Sequence, residues 1–214
     1  MARKNDDSGH IYVCEKGIQV PGVTTIVSIL NKPELVGWAN NLGFRGIRVY
    51  TFLDERAAIG TDFHKMVEDY MTGKEVGGEH YTEAIQMFSR FRIWARCHHY
   101  KVFQSEISLV GKEFGGTIDA IGEVDGTFSV VDYKTSKKVY DDQFIQLAGY
   151  ALLLQELLPE TYEKLQAFGI VTMRRELAHK FISKKELEKR FVPVFEAALK
   201  LYQSYYEIAN NTYL

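Results

Sequence analysis

Residues 116–134 read GTIDAIGEVDGTFSVVDYK, and this stretch predicts a β-hairpin at the centre of the fold. The pair Asp125-Gly126 is a strong signal for a two-residue type I′ turn between two antiparallel strands. A hairpin centred on that pair places Asp119 directly opposite Asp132. Side chains alternate along a strand, so Lys134 lies on the same face as Asp132. The sequence therefore predicts two carboxylates that face each other beside one ammonium group.

This arrangement points to a bound cation. Like charges directly opposite each other destabilise a sheet unless something compensates them. Hard oxygen ligands suit Mg²⁺ or Mn²⁺, which keep open positions for water and phosphate. Such a metal polarises a phosphoryl group, and a neighbouring ammonium orients the attacking water or stabilises the developing charge. The alternative is a surface hairpin with scattered charges, but Ile118, Ala120 and Val130-Val131 indicate that the strands are partly buried.

Three further motifs give the hairpin a family context. Asp119 and Asp132-Tyr133-Lys134 resemble the D…(D/E)xK signature of the PD-(D/E)XK nuclease superfamily. The segment Gly60–His64 with Glu68 resembles the upstream helix of the RecB-type branch, whose histidine binds metal. Residues 146–150 resemble the QxxxY motif that follows the catalytic lysine in that branch. Residues 20–39 resemble the opening of phage and prophage nucleases related to the mitochondrial genome maintenance exonucleases, so the resemblance covers roughly residues 20–172.

The resemblance implies an α/β fold with a restriction-endonuclease-like core, in which helices flank a mixed central sheet, and an N-terminal helical region. It implies that His64, Asp119, Asp132 and the carbonyl of Tyr133 hold Mg²⁺ or Mn²⁺, while Lys134 positions or activates water. The implied activity is that of a DNA exonuclease, which acts on ends or single strands and leaves 5′-phosphates. Two alternatives stay open: a structure-specific endonuclease on the same fold, and a non-catalytic adaptor that binds DNA ends.

Five more residues are candidates for accessory roles or substrate binding. Glu106, in the strand before the hairpin, is a third metal-site carboxylate or, equally, a solvent-facing glutamate. Glu68 is four residues beyond His64 on one helix face and is a possible partner for its ring nitrogen. Gln146 and Tyr150 share a helix face that either grips a nucleotide or holds Lys134. Thr135 could donate to phosphate, although a turn role is the stronger interpretation.

Periodicity and capping signals predict a helix–strand order that fits this core. Helices are expected over 24–44 with a break at 31–33, and over 53–72, 81–99, 141–157 and 183–209 with a bend or a break at Pro193. Strands are expected over 101–110, 115–124, 127–134 and 166–172, with a short one at 11–13. We interpret residues 1–214 as one nuclease domain: a mostly helical part to residue 100, a catalytic core over 101–172, and a C-terminal helical segment over 173–214.

Bulk composition narrows the class further. The 214 residues are 46% hydrophobic and 25% charged, which is typical of a globular domain, and no apolar run is long enough for a bilayer. We therefore expect a cytoplasmic protein without a membrane partner. Two cysteines cannot supply a four-cysteine iron–sulfur cluster, so no such cluster is expected. The net charge of −2 provides no general basic field, which counts against a tight binder of duplex DNA, and leaves local arginines, such as Arg90 and Arg174, as candidate phosphate contacts.

Overall fold

In the computed structural model of the protein, residues 11–30 and 32–211 are described. The polar residues 1–10 and Asn31 of the predicted break therefore lie outside the described part. The elements are, in chain order, β1 (Tyr12–Val13), β2 (Gln19–Val20), α1 (Val23–Val27), α2 (Glu34–Phe44), α3 (Val49–Met71), α4 (Thr82–Cys97), β3 (Lys101–Val110), β4 (Gly115–Val124), β5 (Thr127–Lys134), α5 (Asp141–Leu157), α6 (Pro159–Lys164), β6 (Ala167–Thr172), β7 (Ala178–Ser183), α7 (Lys184–Arg190) and α8 (Val192–Asn211).

A five-stranded mixed sheet with the order β3-β4-β5-β6-β7 forms the centre. Strands β5 and β6 run parallel, and the other neighbours are antiparallel. Between β4 and β5, Val124 pairs with Thr127 and Ala120 pairs with Val131, which confirms the predicted register. The turn backbone has φ of 48° at Asp125 and 82° at Gly126, as a type I′ turn requires.

Helices cover both faces of the sheet. On one face, Ile118 and Val130 of the hairpin join a buried cluster with Phe144 of α5 and Phe195 of α8. Helix α5 connects the parallel strands β5 and β6, which need a crossover of this kind. Because α5 begins soon after β5 ends, its first turns stand beside the carboxyl end of β5.

Helices α3 and α4 cover the opposite face. There, Val131 and Tyr133 are buried against Phe63 of α3 and against Phe91 and Trp94 of α4. Tyr133 and Trp94 are therefore core residues on this face of the sheet. This packing places α3 over the hairpin. His64 and Glu68, one turn apart on α3, therefore face β3 and β4.

The predicted fold class, a mixed sheet flanked by helices with an N-terminal helical region, is confirmed. The prediction missed β7, whose only fully buried side chain is Ile182, because an exposed edge strand lacks a strong apolar alternation. The expected long C-terminal helix is two helices, α7 and α8, separated at Phe191. Pro193 lies in the first turn of α8, where a missing N–H costs little. Within the described residues, no helix is long and apolar enough to cross a membrane.

Candidate active site

The two aspartates of the hairpin lie side by side near the end of β5. The paired ladder ends at Ala120↔Val131, one position short of Asp119 and Asp132. Oδ2 of Asp119 accepts a 2.7 Å hydrogen bond from the backbone N–H of Tyr133. The side chain of Asp132 is only 2% exposed and that of Asp119 13%. Burial raises the pKa of each carboxyl group to about 6, against the opposing effect of the Lys134 charge.

Glu106 adds a third carboxylate from β3. Its neighbours pair as Ser105↔Ala120 and Ile107↔Ile118, so Glu106 stands opposite Asp119 on the other side of β4. Its φ of 50° is a left-handed conformation that a glutamate rarely adopts. Although the residue is exposed at the sheet edge, its carboxyl end reaches the other acids. Partial burial, followed by the charges of Asp119 and Glu68, raises the pKa of Glu106 to about 7.

His64 completes the group from α3. One ligand atom each from His64, Glu106 and Asp119 lie within 4.8 Å of one another, and Nδ1 of His64 is 3.6 Å from Oδ1 of Asp119. Burial, followed by the Lys134 charge, lowers the pKa of His64 to about 4. The imidazole is therefore neutral at physiological pH and has a lone pair for a metal ion. In the described part of the chain no hydrogen bond joins Glu68 to His64, so the suggested pairing is not formed.

Lys134 is held between an acid and an amide. Its Nζ lies 2.8 Å from Oδ2 of Asp132 and donates to Oε1 of Gln146 at 2.8 Å. Nε2 of Gln146 donates in turn to the hydroxyl of Tyr150 at 2.6 Å. Burial alone would lower the pKa of Lys134, but the charges of Asp132 and Asp119 outweigh it and raise the pKa. Gln146 therefore contacts the lysine directly, and Tyr150 is joined to it through Gln146.

The donor set fits a hard divalent cation. A cavity of about 10 Å³, the room of one water molecule or ion, is lined by residues that include His64, Glu106, Asp119 and Tyr133. Oδ2 of Asp132 is buried and, although close to Lys134, makes no aligned hydrogen bond. Carboxylates with raised pKa values, one unsatisfied buried oxygen and a neutral imidazole are what Mg²⁺ or Mn²⁺ would stabilise. Asp132 is not part of the closest trio, and its carboxylate is shared with Lys134.

A larger cleft opens from this point. It has a volume of about 490 Å³ and lies between α3, the start of β4 and α5. Its lining includes all five predicted accessory residues: Glu68, Glu106, Thr135, Gln146 and Tyr150. The side chain of Thr135 also packs toward Gly60, a position where a Cβ atom would lie 3.7 Å from the Thr135 hydroxyl oxygen. The accessory residues scattered through the sequence are therefore neighbours of one cleft.

Arg56 and Tyr12 are two of the cleft residues that sequence reasoning did not single out. Arg56 precedes Gly60 and His64 at helical spacing, a signal that could have found it. Its guanidinium is bonded to Glu83, while its buried Nε has no hydrogen-bond partner. Tyr12 of β1 reaches the cleft, where its hydroxyl lies 3.2 Å from Oγ1 of Thr117. That contact joins residues more than one hundred positions apart, so no local sequence pattern predicts it.

Two arginines considered as phosphate contacts have internal partners instead. Arg90 donates to the carbonyls of Met173 and Arg174 at 2.8 and 3.0 Å. Nε of Arg174 donates to Oε1 of Glu83 at 3.1 Å. Glu83 therefore joins Arg174 to Arg56, and this network fixes the loop after β6 to the helices beside the cleft.

The mixed sheet, the two buried aspartates and the lysine two residues beyond the second aspartate match the D…(D/E)xK signature. Over residues 79–200, more than half of the chain, the sequence matches the PD-(D/E)XK nuclease superfamily. The chain belongs to this superfamily, and its restriction-endonuclease-like core and nuclease class follow from that membership.

Solved structures give more distant likenesses. The crystal structure of a "Putative exonuclease" from Eubacterium rectale is 16% identical, with a TM-score of 0.45, covering 71% of this chain and 67% of that one. The crystal structure of SSO0001 is 18% identical, with a TM-score of 0.32, covering 55% of this chain and 57% of that one. No curated protein sequence matches the chain significantly.

Proposed function

We propose that the protein is a DNA exonuclease of the RecB-type branch that requires Mg²⁺ or Mn²⁺ and hydrolyses phosphodiester bonds from DNA ends. The observation that carries this proposal is the buried pair Asp119 and Asp132, with Lys134 held between Asp132 and Gln146. Two opposed buried acids cost stability unless a cation is bound between them. Membership in the nuclease superfamily supplies the reaction class.

In this proposal Asp119, Asp132, His64 and the carbonyl of Tyr133 hold the metal. Glu106 joins them directly or through water, since it belongs to the same group of ligand atoms as His64 and Asp119. An ion held there would supply Lewis-acid chemistry: it would polarise the phosphoryl group and lower the pKa of a coordinated water. Glu68 lines both the small cavity and the cleft, and we assign it an outer role around the same water molecules.

Lys134 acts as a fixed positive charge. Its raised pKa keeps it protonated, so it serves better to orient water and stabilise charge on the phosphate than to remove a proton. Gln146 and Tyr150 hold the amine in place by their two successive hydrogen bonds. Thr135, next to the lysine and exposed to the cleft, is positioned to donate to a phosphate oxygen. The products are expected to carry 5′-phosphates.

Preference for ends follows from how the site is enclosed. Helix α3 forms one wall of the cleft, and α5 with the start of β4 forms the other. A strand end enters such a cleft more easily than a continuous duplex does. The net charge of −2 also provides little general attraction for a duplex. We further propose that residues 1–214 act as one nuclease domain in the cytoplasm, where unpaired Cys14 and Cys97 stay reduced.

Purified protein should be incubated with end-labelled linear DNA in EDTA, Mg²⁺ or Mn²⁺. We expect degradation from the ends only with metal, and a rate lower by about 10²-fold or more with the Lys134→Ala variant. Cleavage that persists in EDTA, or cleavage at the wild-type rate in this variant, would contradict the proposed site.

A further inference from the structure

The face of α3 that lines the cleft continues beyond it. Tyr50, Leu53, Ala57, Gly60 and His64 follow one another at spacings of three and four residues, so they share one helix face. Ala57, Gly60 and His64 line the cleft. Tyr50 and Leu53 therefore extend the same stripe toward the start of α3, where both are exposed.

A second aromatic residue stands near the start of this stripe. Phe44, in the last turn of α2, is 82% exposed and Tyr50 is 71% exposed. Among the described side chains of α2, only Leu42 is buried, while Leu35 and Val36 are also exposed. Concentrated apolar exposure of this kind marks a binding surface more often than chance.

The charge of this surface favours an anionic partner. Residues 35–53 contain Arg45 and Arg48 and no Asp or Glu, in a chain whose net charge is −2. The surface is also joined to the cleft. The rings of Trp38 and Phe52 lie 5.8 Å apart, and the guanidinium of Arg56, a cleft residue, lies 5.0 Å from the Phe52 ring centroid. Aromatic faces interleaved with arginines suit a polyanion with exposed flat bases.

We propose that Phe44, Tyr50 and Leu53, with Arg45 and Arg48, form an entry track that binds single-stranded DNA and leads its end into the cleft. The bases stack on the aromatic rings, and the arginines contact the phosphates. Duplex DNA keeps its bases stacked on one another and has no such faces to offer. Tyr50 lies 14 residues from His64, about 21 Å along the helix, so the track contacts nucleotides well behind the reacting phosphate. This proposal rests on the proposed function in one respect only, namely that the strand end enters the cleft where cleavage takes place.

Binding tests the track directly. Fluorescence anisotropy of a labelled dT12 oligonucleotide, in Ca²⁺, should be compared for the wild type, Phe44→Ala, Tyr50→Ala and the double variant. Stacking energies predict about 5-fold weaker binding or more for each substitution, and a larger loss for both. Tyr205→Ala is the matched control, since Tyr205 is 70% exposed on α8 and does not line the cleft. Equal binding by the wild type and the double variant would overturn the proposal, as would an equal loss in the control.

Two further measurements separate this proposal from its rivals. If the wild type sediments as a dimer that the double variant dissociates, the surface joins two copies of the chain and the track is refuted. Hydrolysis of bis(p-nitrophenyl) phosphate in Mn²⁺ reports the metal site alone and should be unchanged in the double variant. A wild type that cleaves neither this compound nor DNA would refute the nuclease proposal, while selective loss of dT12 binding would still support the track.

Discussion

At the scale of single residues, burial sets the behaviour of the acids. The folded-state pKa of Asp119, about 6, lies above its ordinary value of 3.8. The folded protein therefore binds more protons than the unfolded chain between about pH 4 and 6, and metal-free stability falls as pH rises through that window. Asp119→Asn removes this loss. The free energy of unfolding of the variant should therefore exceed that of the wild type by about 1–3 kcal/mol at pH 7.5 in EDTA, and the two should be equal near pH 4.

Urea unfolding at the two pH values measures this difference. Asp54→Asn, an exposed substitution on α3, is the control and should follow the wild type at both. A stability difference that is the same at pH 4 and pH 7.5 would show that the charge of Asp119 is not the cause. Calorimetric titration with Mn²⁺ should also find weaker binding in Asp119→Asn.

His64 offers a separate test of the metal site. With its pKa lowered to about 4, the imidazole is neutral and its removal deletes one ligand without changing the charge. His64→Ala should therefore need a higher Mn²⁺ concentration for half-maximal activity and recover at saturating metal, because the carboxylates remain. His99→Ala, on a largely exposed side chain near the hairpin turn, should behave as the wild type. Loss of folding without metal dependence would instead indicate a packing role for His64.

Lys134 should separate binding from chemistry. Lys134→Ala is expected to keep metal and DNA binding and to lower kcat by about 10²-fold or more, since its charge is needed chiefly in the transition state. Lys137→Ala removes an exposed charge from the following loop and is the matched control. Single-turnover cleavage rates, measured together with DNA affinity, distinguish an effect on chemistry from an effect on binding. Full activity of Lys134→Ala would rule out the assigned role.

At the scale of elements, the contact between β4 and α5 positions the lysine. A Cβ atom on Gly116 would lie 2.8 Å from Cε1 of Tyr150 and 3.1 Å from Cγ2 of Val23. Gly116→Ala must therefore push α5 away from β4 and move Tyr150, which is hydrogen-bonded to Gln146. We expect a stability loss of about 1–3 kcal/mol and a lower kcat.

The matched control for this substitution is Gly77→Ala. Nothing lies within 4 Å of its Cβ position, and it lies in a connecting segment between α3 and α4. Thermal unfolding and steady-state kinetics measure both effects. If Gly116→Ala proved as stable and active as Gly77→Ala, the close packing of β4 on α5 would not matter for the site.

At the scale of the whole molecule, the enclosure of the cleft predicts dependence on DNA ends. Linear DNA should be degraded while covalently closed circles survive under the same conditions. Gel analysis of both forms in one reaction, with a nicked circle included, measures this preference. Rapid cutting of closed circles would favour the endonuclease alternative and would leave the metal site unaffected.

The hairpin that carries the two aspartates could be predicted from local sequence. Asp125-Gly126 fixes the turn, the turn fixes the register, and the register places Asp119 and Asp132 one position beyond the last pair. The helical spacing of Gln146 and Tyr150 is equally local. These features could be predicted because each depends on residues a few positions apart, where backbone geometry leaves few choices.

The surroundings of the hairpin depend on contacts between distant elements. Glu106 comes close to His64 and Asp119 through a left-handed backbone on another strand, and Tyr12 reaches the cleft across more than one hundred residues. The exposed edge strand β7 also lacks a clear sequence pattern. Contacts of this kind are set by how separate elements pack on the sheet, and the free energy of that packing is shared among many distant residues rather than encoded in any short stretch.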